Sequence, residues 1–181
     1  HEVHKMAEST KVMTLTYSSA INTEDGKWKP VENTTDIYVT QAMYILATWD
    51  QAEGRKALEK QGFTEDSIDN LRKALDAIDP RWNEFADWVV AEYLPSGRER
   101  YNAVHRDIFG ISMTAVPNYF PINRAKEKLQ KEEDVAAGDV DLLPSSVVGA
   151  IKERTSNVVP IDLETSFFEA LNENTSVMEA W

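Results

Sequence analysis

The sequence predicts a mainly α-helical fold, an irregular multi-helix domain with a small N-terminal β-hairpin. Apolar residues recur at helical spacing through most of the chain after residue 35, whereas strand-like alternation is confined to the segment before it. Capping residues and glycine or proline stops separate the helical segments. We therefore divide the chain into an N-terminal segment, residues 1–34, and a helical domain, residues 35–181.

The composition excludes several classes of protein. The 181 residues include no cysteine, which rules out disulfides and thiolate metal sites. The net charge of -12 argues against broad nucleic-acid binding, since that depends on Lys and Arg neutralising phosphates. No run of about 18 apolar residues is present, so we expect no membrane span and no integral membrane protein.

The hairpin is predicted from two short segments on either side of a turn. Lys11–Tyr17 alternates apolar and polar residues, and Trp28–Val31 forms the returning strand. Asp25 and Gly26 supply the turn, and Pro30 restricts the second strand to a sheet edge. We expect the ten residues before the hairpin to fray.

The first long helix is expected to begin near Thr35 or Asp36, whose side chains can cap its free amides. Its broad apolar stripe indicates a helix that is largely buried. The pattern predicts continued helix up to Gly62, which ends it, and Thr64 then caps the next helix.

An aromatic stripe follows the start signal at Asp79 and Pro80. Core packing is the preferred interpretation because aromatic side chains dominate core burial, and a surface for stacking a ligand is the alternative. The residues of this stripe are Trp82, Phe85, Trp88, Val89 and Tyr93.

The helix is expected to kink, or to end and restart, at Pro95–Gly97, and Gly110 ends the segment that follows. One face of this segment carries Tyr101, Val104, His105 and Ile108.

An apolar crossing comes next. It is too apolar for an ordinary surface loop, so we expect it to pack into the body, with Tyr119 and Phe120 pointing into two opposite layers. Pro117 and Pro121 favour extended backbone. The large apolar residues of the crossing are Ile111, Met113, Val116, Tyr119, Phe120 and Ile122.

In the last third of the chain, the residue pattern predicts a charged helix from Asn123, an acidic linker, and a short helix from Ser145 or Ser146 to Arg154. Asp162 is expected to cap a final helix, and Trp181 to pack against the body or a partner.

Residue chemistry gives no support for a reaction. The sequence contains no phosphate-binding loop, no zinc-protease motif and no nucleophile elbow. His1 and His4 have the spacing of a weak metal pair, but a disordered terminus is the preferred interpretation, and His105 lacks a predicted catalytic partner. We predict no catalytic residue, cofactor or metal site.

Several segments in order resemble the large polyvalent proteins encoded by bacteriophages and integrated mobile elements. They are QAMYILATW, GRKALEKQGFTED, FADWVVAEYLPS, YNAVHRDIFGISM, VPNYFPINR, LPSSVVGAIKERTSNVVPIDL and a final MEAW. The resemblance covers about four fifths of the chain, Asp36–Trp181. Its most specific residues are Tyr101, Asn102, Gly110, Asn118, Tyr119, Phe120 and Pro121.

The resemblance implies a non-catalytic structural or interaction module within a much longer polyprotein. Its expected partners are neighbouring domains or phage particle proteins, and its expected location is the virion or the bacterial host cytoplasm. The family often has a glutamate where this chain has Pro117, so no carboxylate role is carried over.

Two alternatives from other classes remain open. One is an accessory or hydrolase-like enzyme domain with an aromatic-lined cleft, and the other is a binding module for a peptide or apolar ligand on the aromatic stripe. The cleft residues of the first alternative would be Trp82, Trp88, Tyr101 and His105.

Overall fold

A computed structural model describes residues 2–22, 28–112, 115–124 and 160–179. The described chain is mainly helical with one two-stranded antiparallel sheet, as the sequence predicts. The elements in chain order are α1 (Glu2–Ser9), β1 (Lys11–Asn22), β2 (Trp28–Tyr38), α2 (Val39–Asp50), α3 (Ala52–Lys60), α4 (Glu65–Ile78), α5 (Arg81–Trp88), a π-helical turn (Val89–Tyr93), α6 (Leu94–Phe109) and α7 (Phe167–Glu179).

The predicted hairpin is confirmed, but its second strand is longer than expected. Strand β2 continues to Tyr38, so the expected helix start near Thr35 or Asp36 is wrong. Asp36 pairs with Thr14 in the sheet, and its carboxylate accepts a hydrogen bond of 2.7 Å from the Thr14 hydroxyl. A salt bridge of 2.8 Å to Lys11 also holds this carboxylate, which therefore serves the sheet and does not cap α2.

The expectation that the first ten residues fray is also wrong. Residues 2–9 form α1, and the side chain of Ala7 is fully buried. The hydroxyl of Thr10 donates to the carbonyl of Met6, and the carbonyl of Thr10 accepts from the amide of Val39 at 3.0 Å. These bonds fix α1 against the start of α2.

Helix α2 is the centre of the core. Its residues are apolar nearly all round, and every one except Gln41 and Asp50 is buried. It contacts α1, both strands and the helices α3, α4, α5 and α7. The core thus surrounds α2, as the broad apolar stripe predicted.

The helix is interrupted between α2 and α3, where the sequence predicted continuous helix. Gln51 has extended backbone, with φ -90° and ψ 131°. Gly54 then lies so close to the carbonyl of Thr48 that a Cβ atom would collide with it. Gly62 ends α3 with a φ of +91°, and the hydroxyl of Thr64 accepts from the amide of Ser67 to cap α4; both features were predicted.

Helices α5 and α6 are joined by the π-helical turn into one uninterrupted helical segment. Of the two expected outcomes at Pro95–Gly97, an end followed by a restart does not occur, because α6 runs through these residues and the irregularity is the π turn just before Pro95. Proline fits at the second position of α6, where the preceding π turn has already replaced the regular hydrogen-bond pattern. Gly110 ends α6 with a φ of 72°, as predicted.

The apolar crossing is only partly buried. Phe120 is fully buried and Ile122 partly so, whereas Ile111, Val116 and Tyr119 are exposed. The expectation that Tyr119 enters a second packed layer is therefore wrong. Only the end of the crossing joins the core.

Helix α7 begins at Phe167, later than the predicted cap at Asp162. The carboxylate of Asp162 instead accepts from the amide of Glu164 within a turn. Phe167 and Ala170 of α7 are fully buried in the core. The expectation that a charged helix begins at Asn123 is wrong at its start, because Asn123 and Arg124 are not helical and Arg124 forms a bridge with Ile161; the rest of that segment lies outside the described residues. The short helix expected from Ser145 or Ser146 to Arg154, Met113 and Trp181 also lie outside the described residues. Within the described ranges, the helices are too short or too polar to cross a membrane.

Replacing Phe120 by Ala should lower the free energy of unfolding by about 3–5 kcal/mol, because the change removes a large, fully buried ring. Urea denaturation monitored by circular dichroism measures this loss. Val116→Ala, on the exposed part of the same crossing, is the matched control and should cost less than about 0.5 kcal/mol. A loss below about 1 kcal/mol for Phe120→Ala would contradict the burial described above.

Candidate functional site

Four of the predicted motif residues, Asn118 to Pro121, lie between the end of α2 and α7. Asn118 has a φ of 50°, a left-handed conformation that asparagine tolerates better than most residues. Its side-chain amide donates to the carbonyl of Asp50 at 3.1 Å. The hydroxyl of Tyr119 donates to the side-chain oxygen of Asn174 on α7 at 3.0 Å. The motif therefore joins two helices that are far apart in sequence.

Phe120 is the apolar anchor of this motif. Its ring stacks on Phe167 of α7, with centroids 4.8 Å apart and an interplanar angle of 23°. The ring of Tyr44 on α2 meets Phe120 edge-on at 6.0 Å. Such offset and edge-on pairs contribute beyond simple burial. Pro121 is partly buried beside this anchor.

Two segments without regular secondary structure, residues 118–124 and 160–166, pack back onto the helical core. They are held there by hydrogen bonds from the side chains of Tyr44 and Gln61, which we call the polar joint. The Tyr44 hydroxyl accepts from the Asn123 amide at 2.8 Å and lies 3.3 Å from the Asn123 carbonyl, to which it donates. That carbonyl also accepts from the amide of Asp162 at 3.0 Å, and Arg124 forms a bridge with Ile161. Burial raises the pKa of Tyr44 well above its usual range, so its proton stays available to donate.

The second half of the polar joint is the side chain of Gln61. Its carboxamide NH₂ donates to the Ile161 carbonyl at 3.1 Å, and its oxygen accepts from the Ile161 amide at 3.0 Å. Both residues are almost completely buried. Gln51 acts similarly on the first segment, where its side-chain oxygen accepts from the Phe120 amide at 3.4 Å. Sequence reasoning missed both glutamines, because nothing in the local pattern distinguishes a buried Gln from a surface one.

The other predicted motif residues lie on or just beyond α6. Tyr101 is half-buried and borders a surface cavity of about 50 Å³, together with Asn174 and Thr175 of α7. Tyr101 and Tyr119 therefore both approach Asn174. Asn102 is half-buried on α6, and Gly110 is the exposed cap at its end.

Three exposed rings and one partly buried ring form a second feature, which we call the aromatic surface: Phe85, Trp88 and Tyr93 are exposed, and Phe168 is partly buried. The ring centroids of Phe85 and Trp88 are 5.9 Å apart, those of Trp88 and Tyr93 are 5.7 Å apart, and Phe168 lies 6.1 Å from Phe85. The exposed fraction of Trp88 is 49%. The prediction that the whole stripe packs in the core is therefore wrong for Phe85, Trp88 and Tyr93.

Helical geometry explains this outcome. Trp82, Ala86 and Val89 recur at spacings of three and four, and all three are buried. Phe85 lies about 60° and Trp88 about 120° around the helix from Trp82. The core-facing stripe is thus narrower than the run of aromatic residues, and the second face carries the exposed rings.

The structure does not assemble the proposed enzyme cleft. Trp82 is buried, Trp88 is exposed, and the Nδ1 atom of His105 lies 2.9 Å from the carbonyl oxygen of Ile111. The cavity beside Tyr101 is not lined by any of these three residues. In the part of the chain that the structure describes, no group of three His, Cys, Asp or Glu side chains is arranged to hold a metal ion. His1 and the side chain of His4 lie outside the described parts.

One charged group lies near the motif. Arg72 on α4 is 3.8 Å from the carboxylates of both Asp50 and Asp87. Burial raises the pKa of Asp50, and the attraction of Arg72 opposes that rise. This arrangement links α2, α4 and α5 by charge.

No protein-family model, no curated protein and no solved structure matches this chain significantly.

Replacing Gln61 by Leu should lower the free energy of unfolding by about 2–4 kcal/mol, because the change leaves a buried N–H and a buried C=O of Ile161 without partners. Urea denaturation gives the magnitude, and hydrogen exchange at the Ile161 amide localises the effect. Lys60→Leu, one residue away and exposed, is the control and should change stability by less than about 0.5 kcal/mol. Equal effects of the two variants would show that the polar joint contributes nothing.

Two carboxylates should change the pH dependence of stability in opposite directions. The folded pKa of Asp50 is raised, so its contribution to stability is present at low pH and is lost as pH rises through that value. The folded pKa of Asp36 is lowered by hydrogen bonds from Lys11 and Thr14, so its contribution is present at neutral pH and is lost as pH falls through that value.

Relative to the parent chain at pH 7, Asp50→Asn should therefore be the more stable and Asp36→Asn the less stable. Thermal unfolding between about pH 3 and pH 7, which spans the ordinary carboxyl range, measures both differences. Shifts of the same sign in the two variants would contradict the electrostatic account.

Proposed function

We propose that this chain is a non-catalytic interaction module that packs against a neighbouring domain of a longer protein or against a protein of a phage particle. The observation that carries the proposal is the aromatic surface. Phe85, Trp88 and Tyr93 are each more than a third exposed, although the ring of Trp88 lies within 6 Å of the rings of both Phe85 and Tyr93. Contiguous exposed apolar surface of this kind typically marks an interaction site.

The residue types fit a protein partner. Aromatic side chains are enriched at the centres of protein interfaces, where they bury a large area at a small cost in conformational entropy. The indole of Trp88 and the phenol of Tyr93 also bring a polar N–H and a hydroxyl group to this surface. A partner with an apolar centre and hydrogen-bond acceptors around it would complement these groups.

The surface is held rigidly. Phe85 packs at 6.2 Å from Phe167, which is fully buried and stacks on Phe120. Phe168 meets Phe167 edge-on at 5.7 Å. The exposed rings are therefore continuous with the core, and binding would not have to order a loose segment. Such preorganisation lowers the cost of association.

The resemblance to large polyvalent proteins supplies the setting of the proposal. It supports a role as one module of a phage or mobile-element polyprotein, associated with the virion or delivered with its DNA.

A second candidate function is binding of a peptide or an apolar ligand. It is favoured by the position of Tyr93, which belongs to the aromatic surface and also borders the cavity beside Tyr101. A short peptide could then place one side chain in the cavity and stack another on Trp88.

A photo-activatable phenylalanine analogue at position 88 should crosslink to a neighbouring domain or a particle protein when the chain is expressed in its source cells. Mass spectrometry of the crosslinked peptides, from cells and from purified particles, identifies the partner. The same analogue at Asp69, an exposed position on α4, is the control and should give no such product. Equal labelling from both positions, or none from position 88, would contradict the proposal.

The two candidate functions can be distinguished by the size of the partner that binds. Crosslinks to a folded domain support the interaction module. Quenching of tryptophan fluorescence by short apolar peptides, lost in Trp88→Phe, would instead support the peptide-binding alternative.

A further inference from the structure

Helix α6 extends beyond the body of the protein. Leu94 at its start is buried, whereas Val104 is 46% exposed and Ile108 58% exposed. Among the described elements, α6 makes extensive contact only with the π turn that precedes it. The apolar side chains of its second half therefore have no cover within the described parts of the chain.

These side chains form a narrow stripe with a recognisable spacing. Gly97, Tyr101, Val104 and Ile108 follow one another at intervals of four, three and four residues. That alternation is the spacing of the contact positions in a two-helix coiled coil. A stripe of this width fits one partner helix and is too narrow for a sheet or a flat surface.

At the start of the stripe, Gly97 has no side chain and leaves open space. A Cβ atom at Gly97 would meet no atom within 4 Å. The cavity of about 50 Å³ beside Gly97 is bordered by Leu94 and Tyr101. One end of α6 therefore presents a hole, and the other end presents the exposed side chain of Ile108.

We propose that α6 pairs in antiparallel orientation with α6 of a second copy of this chain, with the two-fold axis between residues 102 and 103. In this register Ile108 of each copy meets Gly97 of the other and fills the cavity, and Val104 meets Tyr101. A two-fold axis repeats each contact, so both holes are filled at once. A parallel, in-register pair would oppose Gly97 to Gly97 and leave that layer empty.

The charges beside the stripe favour the same register. Arg100 and Asp107 flank the stripe on one side, and both are exposed. In the antiparallel pair Arg100 of one copy faces Asp107 of the other, and symmetry makes the ion pair twice. In the described part of the chain neither residue has an ion-pair partner within its own copy. Flanking charges of this kind set the orientation of paired helices.

The interface is confined to about three turns of helix, so the dimer should be weak, with a dissociation constant in the micromolar range or above. The inference does not rest on the proposed function, since no residue of the aromatic surface lies on α6 and the pairing leaves that surface uncovered except at Tyr93. Self-association and partner binding can therefore fail separately.

Sedimentation equilibrium of the full chain from about 1 µM to about 500 µM covers this range of affinity and tests the pairing. Ile108→Glu should raise the dissociation constant at least about tenfold without unfolding the chain, because the side chain is mostly exposed in the monomer. Arg100→Asp and Asp107→Arg should each weaken the dimer, and the double variant should restore it. Such rescue would not follow if either residue had only a structural role.

Because the chain has no cysteine, the register can be tested by disulfide formation. A chain carrying Gly97→Cys mixed with one carrying Ile108→Cys should form the mixed disulfide, and neither chain alone should form a disulfide-linked dimer. A chain that stays monomeric at all concentrations would overturn the proposal. So would a dimer that is unaffected by Ile108→Glu, or a charge reversal that the double variant does not rescue.

Discussion

The fold depends on the hydrogen bonds that a few buried polar side chains make to the backbone of two returning segments. The side chain of Gln61 bonds to both the N–H and the C=O of Ile161, as the backbone of a neighbouring strand would. The hydroxyl of Tyr44 bonds to the N–H and the C=O of Asn123 in the same way. A buried peptide group without a partner costs as much as a lost hydrogen bond. Gln51 provides the corresponding bond for the aromatic anchor, because its side-chain oxygen accepts from the buried amide of Phe120.

Sequence signals correctly predicted the features that depend only on neighbouring residues, such as helix caps and glycine stops. Thr64 as a cap and Gly62 and Gly110 in left-handed conformations are confirmed, because each effect is settled within one helical turn. The start of α2 was wrong because Asp36 is equally suited to cap a helix and to bind Lys11 and Thr14 across the hairpin. Whether Asp36 caps a helix or pairs in the sheet is decided by Lys11 and Thr14, which are more than twenty positions away in the sequence. The periodicity of a local segment contains no information about such distant partners.

The candidate site shows the same division. Composition and spacing located the aromatic run and the apolar crossing, whereas the Asn118–Pro121 motif was singled out by the resemblance; the burial of Phe120 agrees with the apolar character of the crossing. They did not separate Trp82, which faces the core, from Trp88, which faces solvent, since a helix with aromatic residues on two faces has no unique inner side. The π turn, which carries this segment past Pro95, leaves no recognisable signature in the residues Val89–Tyr93.

The bridge between Arg124 and Ile161 has a consequence for how this chain can change in evolution. The two ends of the intervening stretch are held side by side by the polar joint, so the core fixes their separation independently of the number of residues between them. The position is therefore a natural point at which sequence can be inserted or removed while the helical body keeps its form.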